Sequence, residues 1–315
     1  MFDPKIQSEK LHTALKSSPI INKDLIIEIS TSHTNSQRLK IRSEYKTQYN
    51  TDLIEDIKSS FSGHLKDTLI SLYYHPIDFD CLSLRSAMKG LGTDEDALIE
   101  IIATRPTYIL KKIIERYPSL TEGRDLISDV KSDTSGSFRK LLVSLLETKR
   151  SENIDPDINE CNKITKELYE AGEKKLGTDE SVFNKIFATK STMEISYISK
   201  AYHKLTGHTI LQAINSEFSG DIKKLLIAVV FAVISPSEFF ATKINKAVKG
   251  IGTNDKLLIR ILVSRCEIDI KYIKMFYKQL YKKDMIEDIK SDTSGDYQKL
   301  LVKLANWDMK QNDNK

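Results

Sequence analysis

An all-α fold built from four homologous repeats, each a small bundle of about five helices, is what this sequence predicts. Three observations predict it. One twelve-residue element occurs four times, as DLIEDIKSSFSG (52–63), DLISDVKSDTSG (125–136), TILQAINSEFSG (209–220) and DMIEDIKSDTSG (284–295). A second element lies upstream of three of these, as MKGLGTDED from Met88, EKKLGTDES from Glu173 and VKGIGTNDK from Val248. Repetition on this scale outweighs any single motif. After each SG the apolar residues fall at i, i+3, i+4 and i+7, the stripe of a core-facing helix, and no sustained period-2 segment appears.

The elements follow in chain order. The first repeat, 1–76, keeps its stripe at Leu65, Leu69 and Leu72. Its upstream loop, ALKSSPIINKD (14–24), has Ser17, Ser18 and Pro19 where the others have glycines, and one residue more. The second, 77–150, carries Phe138, Leu141, Leu142 and Leu145. An acidic, proline-bearing stretch, SENIDPDIN (151–159), opens the third segment, 151–235, and widens the spacing there. That segment's stripe is Ile222, Leu225, Leu226 and Val229; the fourth segment, 236–315, repeats it as Tyr297, Leu300, Leu301 and Leu304. In each LGTDE-type loop the threonine (Thr93 in the first) is expected to cap a helix whose first turn holds acids.

Composition narrows the function. With 40% apolar and 29% charged residues the chain reads as an ordinary globular protein. Its 48 basic and 44 acidic residues interleave, so the net charge of +4 does not argue for nucleic acid. Cys81, Cys161 and Cys266 are scattered and form no CxxC, which suits a reducing, cytoplasmic setting better than disulfides or zinc. The N-terminus lacks the basic-then-apolar order of a signal peptide. The longest apolar run, LLIAVVFAVI (225–234), has ten residues against the roughly 20 of a spanning helix. Contact with a membrane is therefore expected from its surface. The six histidines form no HExxH and no nucleophile–base motif stands out, so no enzyme is expected.

Gly-x-Gly-Thr alone makes a good turn into a helix with no ligand. A second observation tilts the reading toward a cation. An acid lies 40 or 41 residues beyond the last loop glycine: Asp133 after Gly92, Glu217 after Gly177, Asp292 after Gly252. Glycines allow successive carbonyls to converge, and carbonyl and carboxylate oxygens are the hard ligands calcium takes. A stretch beginning at Asp155 opens like an EF-hand, but Glu160 stands where that loop needs glycine and Lys166 where it needs Glu.

This combination resembles the annexin family over essentially the whole chain. The resemblance implies an all-helical curved disc of four five-helix repeats that binds Ca²⁺ and bridges it to acidic, phosphatidylserine-like headgroups. It implies carbonyl donors at Met88, Gly90 and Gly92 with Asp133; at Gly172, Lys175 and Gly177 with Glu217; and at Val248, Gly250 and Gly252 with Asp292. It further implies a weaker neighbouring site pairing Thr93 with Glu95, Thr178 with Glu180 and Thr253 with Asp255. Asp80, Glu100, Arg105, Arg260 and Arg265 match positions lining a polar channel in the family; ordinary ion pairs are the commoner use of such charges, and a solvated seam is expected over a dry one. Leu91, Leu176 and Ile251 at the loop tips would either touch the membrane or tuck into their own bundle. Beside them Lys89, Lys175 and Lys249 would either add attraction to an anionic leaflet or stand as ordinary solvated lysines, the commoner situation.

The leading expectation is a monomer in solution that binds acidic phospholipid peripherally when calcium rises. An ion-conducting protein and a calcium-independent scaffold are the alternatives. With few residues before the first repeat, little tail-borne regulation is expected. The first repeat is expected to be calcium-silent, since Ser60 replaces its distant acid as well.

Overall fold

A computed structural model describes residues 2–17, 19–250 and 252–307. Ser18 and Ile251 lie outside the described residues. Among those described there are twenty helices and no strand. The chain divides into two compact units. One takes the chain up to Phe79 together with the chain from Phe240 onward; the other takes Asp80–Phe239. The first unit therefore holds repeats 1 and 4, the second repeats 2 and 3. The boundaries fall inside α6 (Pro76–Ala87) and α16 (Pro236–Val248).

Repeat 1 contains α1 (Pro4–Lys16), α2 (Lys23–Ser32), α3 (Asn35–Tyr49), α4 (Leu53–Ser60) and α5 (Gly63–Leu72). Repeat 4 adds α17 (Asp255–Arg265), α18 (Ile270–Tyr281), α19 (Met285–Asp292) and α20 (Gly295–Ala305) to α16. In this unit α1 lies on α3, and the two repeats meet where α20 packs on α2 and α5 on α17. The second unit repeats the plan. Repeat 2 has α7 (Glu95–Thr104), α8 (Thr107–Leu120), α9 (Leu126–Asp133) and α10 (Gly136–Leu146). Repeat 3 has α11 (Ile158–Ala171), α12 (Glu180–Thr189), α13 (Thr192–Thr206), α14 (Ile210–Glu217) and α15 (Gly220–Ile234). Here α10 packs on α12, α15 on α7, and α11 on α13.

The predicted stripes face these contacts. Leu141, Leu142, Leu145, Leu225, Leu226, Val229, Leu300, Leu301 and Leu304 are buried. Burying each such side chain contributes about 1.5–3 kcal/mol. The stripe's first position is fully buried only at Phe138; Leu65, Ile222 and Tyr297 are half-buried.

Two turns place the site. The SG pair joins the fourth helix of a repeat to the fifth, and its glycine takes a left-handed φ: 60° at Gly63, 59° at Gly136, 61° at Gly220 and 63° at Gly295. That conformation is costly for residues with a Cβ. It lets the chain reverse within two residues, so the last residue of the fourth helix stands at the rim. Those last residues are Ser60, Asp133, Glu217 and Asp292. The three distant acids thus end a helix, where the negative end of the helix dipole also favours a nearby cation.

The second turn is the upstream loop. In all four repeats it closes on one backbone hydrogen bond. Asn22 N–H donates to Ala14 O (3.1 Å), Asp94 to Ala87 (2.9 Å), Asp179 to Ala171 (2.8 Å) and Asn254 to Ala247 (2.8 Å). The donors are also the N-caps of the second helices. The cap is therefore Asp94, whose side chain accepts from Ala97 N–H at 3.0 Å, and not Thr93 as the sequence suggested. The acid is one residue closer to the helix, so its carboxylate reaches the free N–H groups of the first turn.

Candidate cation site

Thr93 and its counterparts, released from capping, tie each loop to its distant acid. Thr178 Oγ1 donates to Glu217 Oε2 at 2.6 Å, and Thr253 Oγ1 to Asp292 Oδ2 at 2.6 Å. In repeat 2, Thr93 Oγ1 donates to the backbone oxygen of Asp133 at 3.2 Å, while among the described residues the Asp133 carboxylate accepts only from its neighbour Ser132, at 3.0 Å. The two halves proposed from residues 40 apart in sequence thus sit side by side in all three repeats.

The loop carbonyls can be tested as ligands by asking what they already bond. Among the described residues, those of Met88, Gly90, Gly92, Lys175, Gly177, Val248, Gly250 and Gly252 accept no hydrogen bond. Gly172 O alone is engaged, by Lys175 N–H at 3.0 Å. Exposed loop oxygens that no protein donor occupies are free to bond water or an ion. Among the described residues no three His, Cys, Asp or Glu side chains gather as a metal cluster. A cation here must therefore lean on carbonyls, and the donor set present, mostly neutral oxygens with one carboxylate, suits calcium better than zinc.

The loops differ in length. From the shared alanine to the capping residue, repeats 2 and 4 span seven residues and repeats 1 and 3 span eight, as the closing hydrogen bonds show. In the shorter loops the middle donor is a glycine with φ of 110° (Gly90) or 152° (Gly250). In repeat 3 the extra residue lets Lys175 fill that place without a positive φ. Gly172 packs closely, since a Cβ there would come within 3.2 Å of Phe183 Cζ and would push that ring aside.

Comparison with known proteins agrees with this geometry. Four segments of the chain, 7–72, 79–145, 165–229 and 239–304, match the Annexin family profile. The chain belongs to the annexin family. It is 40% identical over 305 residues to annexin A11 of Oryctolagus cuniculus, covering 96% of this chain but 60% of that protein. A solved structure of annexin III superposes with a TM-score of 0.93 at 36% identity, covering 98% and 95% of the two chains. The structure of calcium-bound annexin (Sm)1 does so with 0.86 at 31% identity, covering 96% and 90%.

Within this annexin the third loop has supports that the repeat pattern did not disclose. A buried tyrosine in each other repeat bonds an aspartate of the fourth helix: Tyr45 to Asp56 (2.6 Å), Tyr117 to Asp129 (2.8 Å) and Tyr277 to Asp288 (2.6 Å). Repeat 3 has Ala213 at that place. Tyr202 turns instead to Glu173 in the calcium-type loop, at 2.6 Å, and His208 holds the other oxygen of Glu173 at 2.8 Å. Burial, then the Glu173 bond, push the Tyr202 phenol far above its ordinary pKa. One signal was visible in the sequence: the fifth residue of the twelve-residue element is Asp in three copies and Ala in one.

The carboxylates of the implied weaker sites diverge. Glu95 and Glu180 line one small cavity of about 320 Å³ with Asp133 and Asp221. Asp255 faces His64 Nε2 at 3.2 Å and crowds the buried Tyr297 phenol, whose pKa burial and this carboxylate both raise. At the loop tips Leu91 and Leu176 stand fully exposed rather than tucked into the bundle; Ile251 lies outside the described residues.

The charges expected to line a solvated seam are themselves largely buried, each within its own unit. Arg105 grips Asp80 through two hydrogen bonds of 2.8 Å, and both side chains are over nine-tenths buried. Glu100 and Arg260 are buried as well, and Arg265 pairs with Asp269 at 2.7 Å beneath the Phe240 ring. Two hydrogen bonds in a fixed fork offset the desolvation that a loosely paired charge would suffer. No described helix is long and apolar enough to cross a membrane.

Proposed function

We propose that this annexin binds calcium at the loops of repeats 2, 3 and 4 and through it docks on acidic phospholipid as a peripheral protein. One observation carries the reading: in each loop unbonded carbonyls stand beside a single acid bonded by the loop's own threonine hydroxyl, through the carboxylate at Glu217 and Asp292 and through the backbone oxygen at Asp133. Met88, Gly90 and Gly92 with Asp133, Gly172, Lys175 and Gly177 with Glu217, and Val248, Gly250 and Gly252 with Asp292 would hold the ion. When bound, it supplies positive charge and open coordination positions that a lipid phosphate oxygen can fill. A single carboxylate leaves that charge under-neutralised, so each site alone is weak, on the order of 10⁻⁴–10⁻³ M. Protein and lipid then raise each other's affinity by linkage, and three loops on one chain act together.

The exposed Leu91 and Leu176 add apolar contact at the interface, and Lys89, Lys175 and Lys249 add attraction of about 1 kcal/mol each to an anionic leaflet. The pairs of Thr93 with Glu95 and Thr178 with Glu180 remain open for a second, weaker ion; Thr253 with Asp255 is the poorest of the three because His64 competes. The reading assigns no catalysis, a monomer before binding, and residence in the cytoplasm until calcium rises. Co-sedimentation with phosphatidylserine vesicles tests it. Pelleting with calcium and release by chelator is the expected result; pelleting in both conditions, or in neither, overturns it.

A further inference from the structure

The four places where a fifth helix packs on a second helix are built alike but charged differently. In the first unit, α20 and α2 meet across a groove whose lysines are neutralised. Lys299 pairs with Asp24 at 3.0 Å and Lys303 with Glu28 at 2.6 Å. Where α15 meets α7, Lys224 bonds Asp221 at 2.8 Å and feels Asp96 and Glu95 nearby. Where α5 meets α17, the matching positions hold Asp67 and Lys256, again of opposite sign.

The groove between α10 and α12 breaks this rule three times. Ser181 stands in register with Asp24 and leaves Lys140 without an acid. Lys185 stands where repeat 1 has Glu28, so a base replaces an acid. Lys131, at the groove's rim, matches Lys58 and Lys290, which pair with the glutamates three residues earlier at 2.8 and 2.9 Å; repeat 2 has Ser128 there. Lys131, Lys140 and Lys185 make no ion pair among the described residues. Arg139 joins them along a groove of about 710 Å³. The one acid, Glu147, is already held by Lys149 at 3.0 Å. In the floor Asn184, 7% exposed, donates to Ser137 O at 3.2 Å while its Oδ1 accepts no hydrogen bond among the described residues.

Unpaired like charges held near one another repel and are stabilised by a multivalent anion. A buried acceptor without a donor matches a ligand hydroxyl. We infer that the α10–α12 groove binds an inositol polyphosphate, its clustered phosphates meeting Lys131, Arg139, Lys140 and Lys185 and a ring hydroxyl donating to Asn184. Binding is independent of calcium, since none of these groups belongs to a loop carbonyl set. The ligand could arrive free or as a lipid headgroup, because Lys131 lies two residues from Asp133 at the same rim.

Calorimetric titration of inositol 1,4,5-trisphosphate into the full chain in chelator tests this. The expected result is one site, weakened roughly tenfold or more in Lys140→Glu/Lys185→Glu, since each basic residue near an anionic target contributes about a factor of five. Lys299→Glu/Lys303→Glu, in the sister groove, should bind like the parent. Calcium-dependent sedimentation and helix content, unchanged in the first variant, show that it folds. A parallel arm uses phosphatidylcholine vesicles with and without phosphatidylinositol 4,5-bisphosphate, also in chelator. Binding of the vesicle as well as the soluble probe assigns the headgroup as source, and binding of the soluble probe alone assigns the free compound. Absence of binding by both probes, equal binding by the α10–α12 variant, or binding of heparin with neither phosphate probe overturns the proposal.

Discussion

The loop of repeat 1 and the loop of repeat 3 have the same length and close on the same hydrogen bond, yet only the loop of repeat 3 stands beside a carboxylate at the end of the fourth helix. Both run eight residues from the shared alanine to a capping Asn22 or Asp179. In repeat 3 the fourth helix ends on Glu217, held by Thr178, and the loop is braced through Glu173 by Tyr202 and His208. In repeat 1 it ends on Ser60, and the tyrosine looks inward to Asp56, which also binds Lys16 at 3.1 Å. The difference teaches that closing the loop is a requirement of the helical bundle, whereas the acid beside it, and with it the proposed cation site, is a separate feature laid over that closure. A repeat can lose the second and keep the first.

Four outcomes would break or sharpen that comparison. The largest effect is expected from the triple variant Asp133→Asn/Glu217→Gln/Asp292→Asn, which keeps size and removes the only charge of each site. Multivalent binding to phosphatidylserine vesicles should fall by roughly 100-fold or more at limiting calcium, with thermal stability in chelator unchanged. Parent-like sedimentation would mean the acids are not ligands and that repeats 1 and 3 do not differ in the way described.

Next comes the brace. Tyr202→Phe removes one hydrogen bond to a charged group, about 1.5–3 kcal/mol, and should lower calcium affinity at repeat 3 alone. Tyr45→Phe removes the equivalent bond in repeat 1 and should cost stability without touching calcium binding. Calorimetric calcium titration of the two, in the presence of phosphatidylserine vesicles, separates them; equal effects on calcium would refute the brace.

A smaller effect is expected at the loop tip. Leu176→Ala should weaken vesicle binding by at most about 1–2 kcal/mol, a fraction of a buried leucine. Leu176→Trp should show a blue-shifted emission on vesicles with calcium, since Trp307 is the sole native tryptophan and is buried near the C-terminus. No shift would place the tip outside the bilayer.

The smallest effect concerns acid. Burial would raise the pKa of Asp56 and of Asp129, but bonds from Tyr45 and Lys16, and from Arg124 and Tyr117, outweigh it and hold both below the ordinary carboxylate value. A depressed folded-state pKa contributes stability in full above the unfolded value of about 4 and loses it as pH falls through the lower folded value. Repeat 3, with Ala213, lacks this contribution. Amide exchange between pH 5 and 3 should therefore accelerate more in α4 and α9 than in α14, and uniform loss of protection would contradict the assignment.

The four-repeat organisation, the helix class and the positions of three loops with three distant acids were legible in the sequence because each is local or repeated. Helix periodicity is written within a dozen residues, and four copies of one element average out drift. The departures of repeat 1 at Pro19 and Ser60, on which its expected silence rests, were legible for the same reason, as the other copies establish the pattern. What only the tertiary structure decided were pairings across distance. Repeats 1 and 4 share one compact unit and repeats 2 and 3 the other, although 1 and 4 lie at opposite ends of the chain. Tyr202 finds Glu173 because Ala213 leaves it no nearer carboxylate. The acids missing beside Lys140 and Lys185 become visible only once α10 is laid on α12. Side-chain hydrogen bonds and ion pairs depend on which surfaces meet, and the meeting of surfaces is set by burial of apolar stripes, which carries no record of the polar partner opposite.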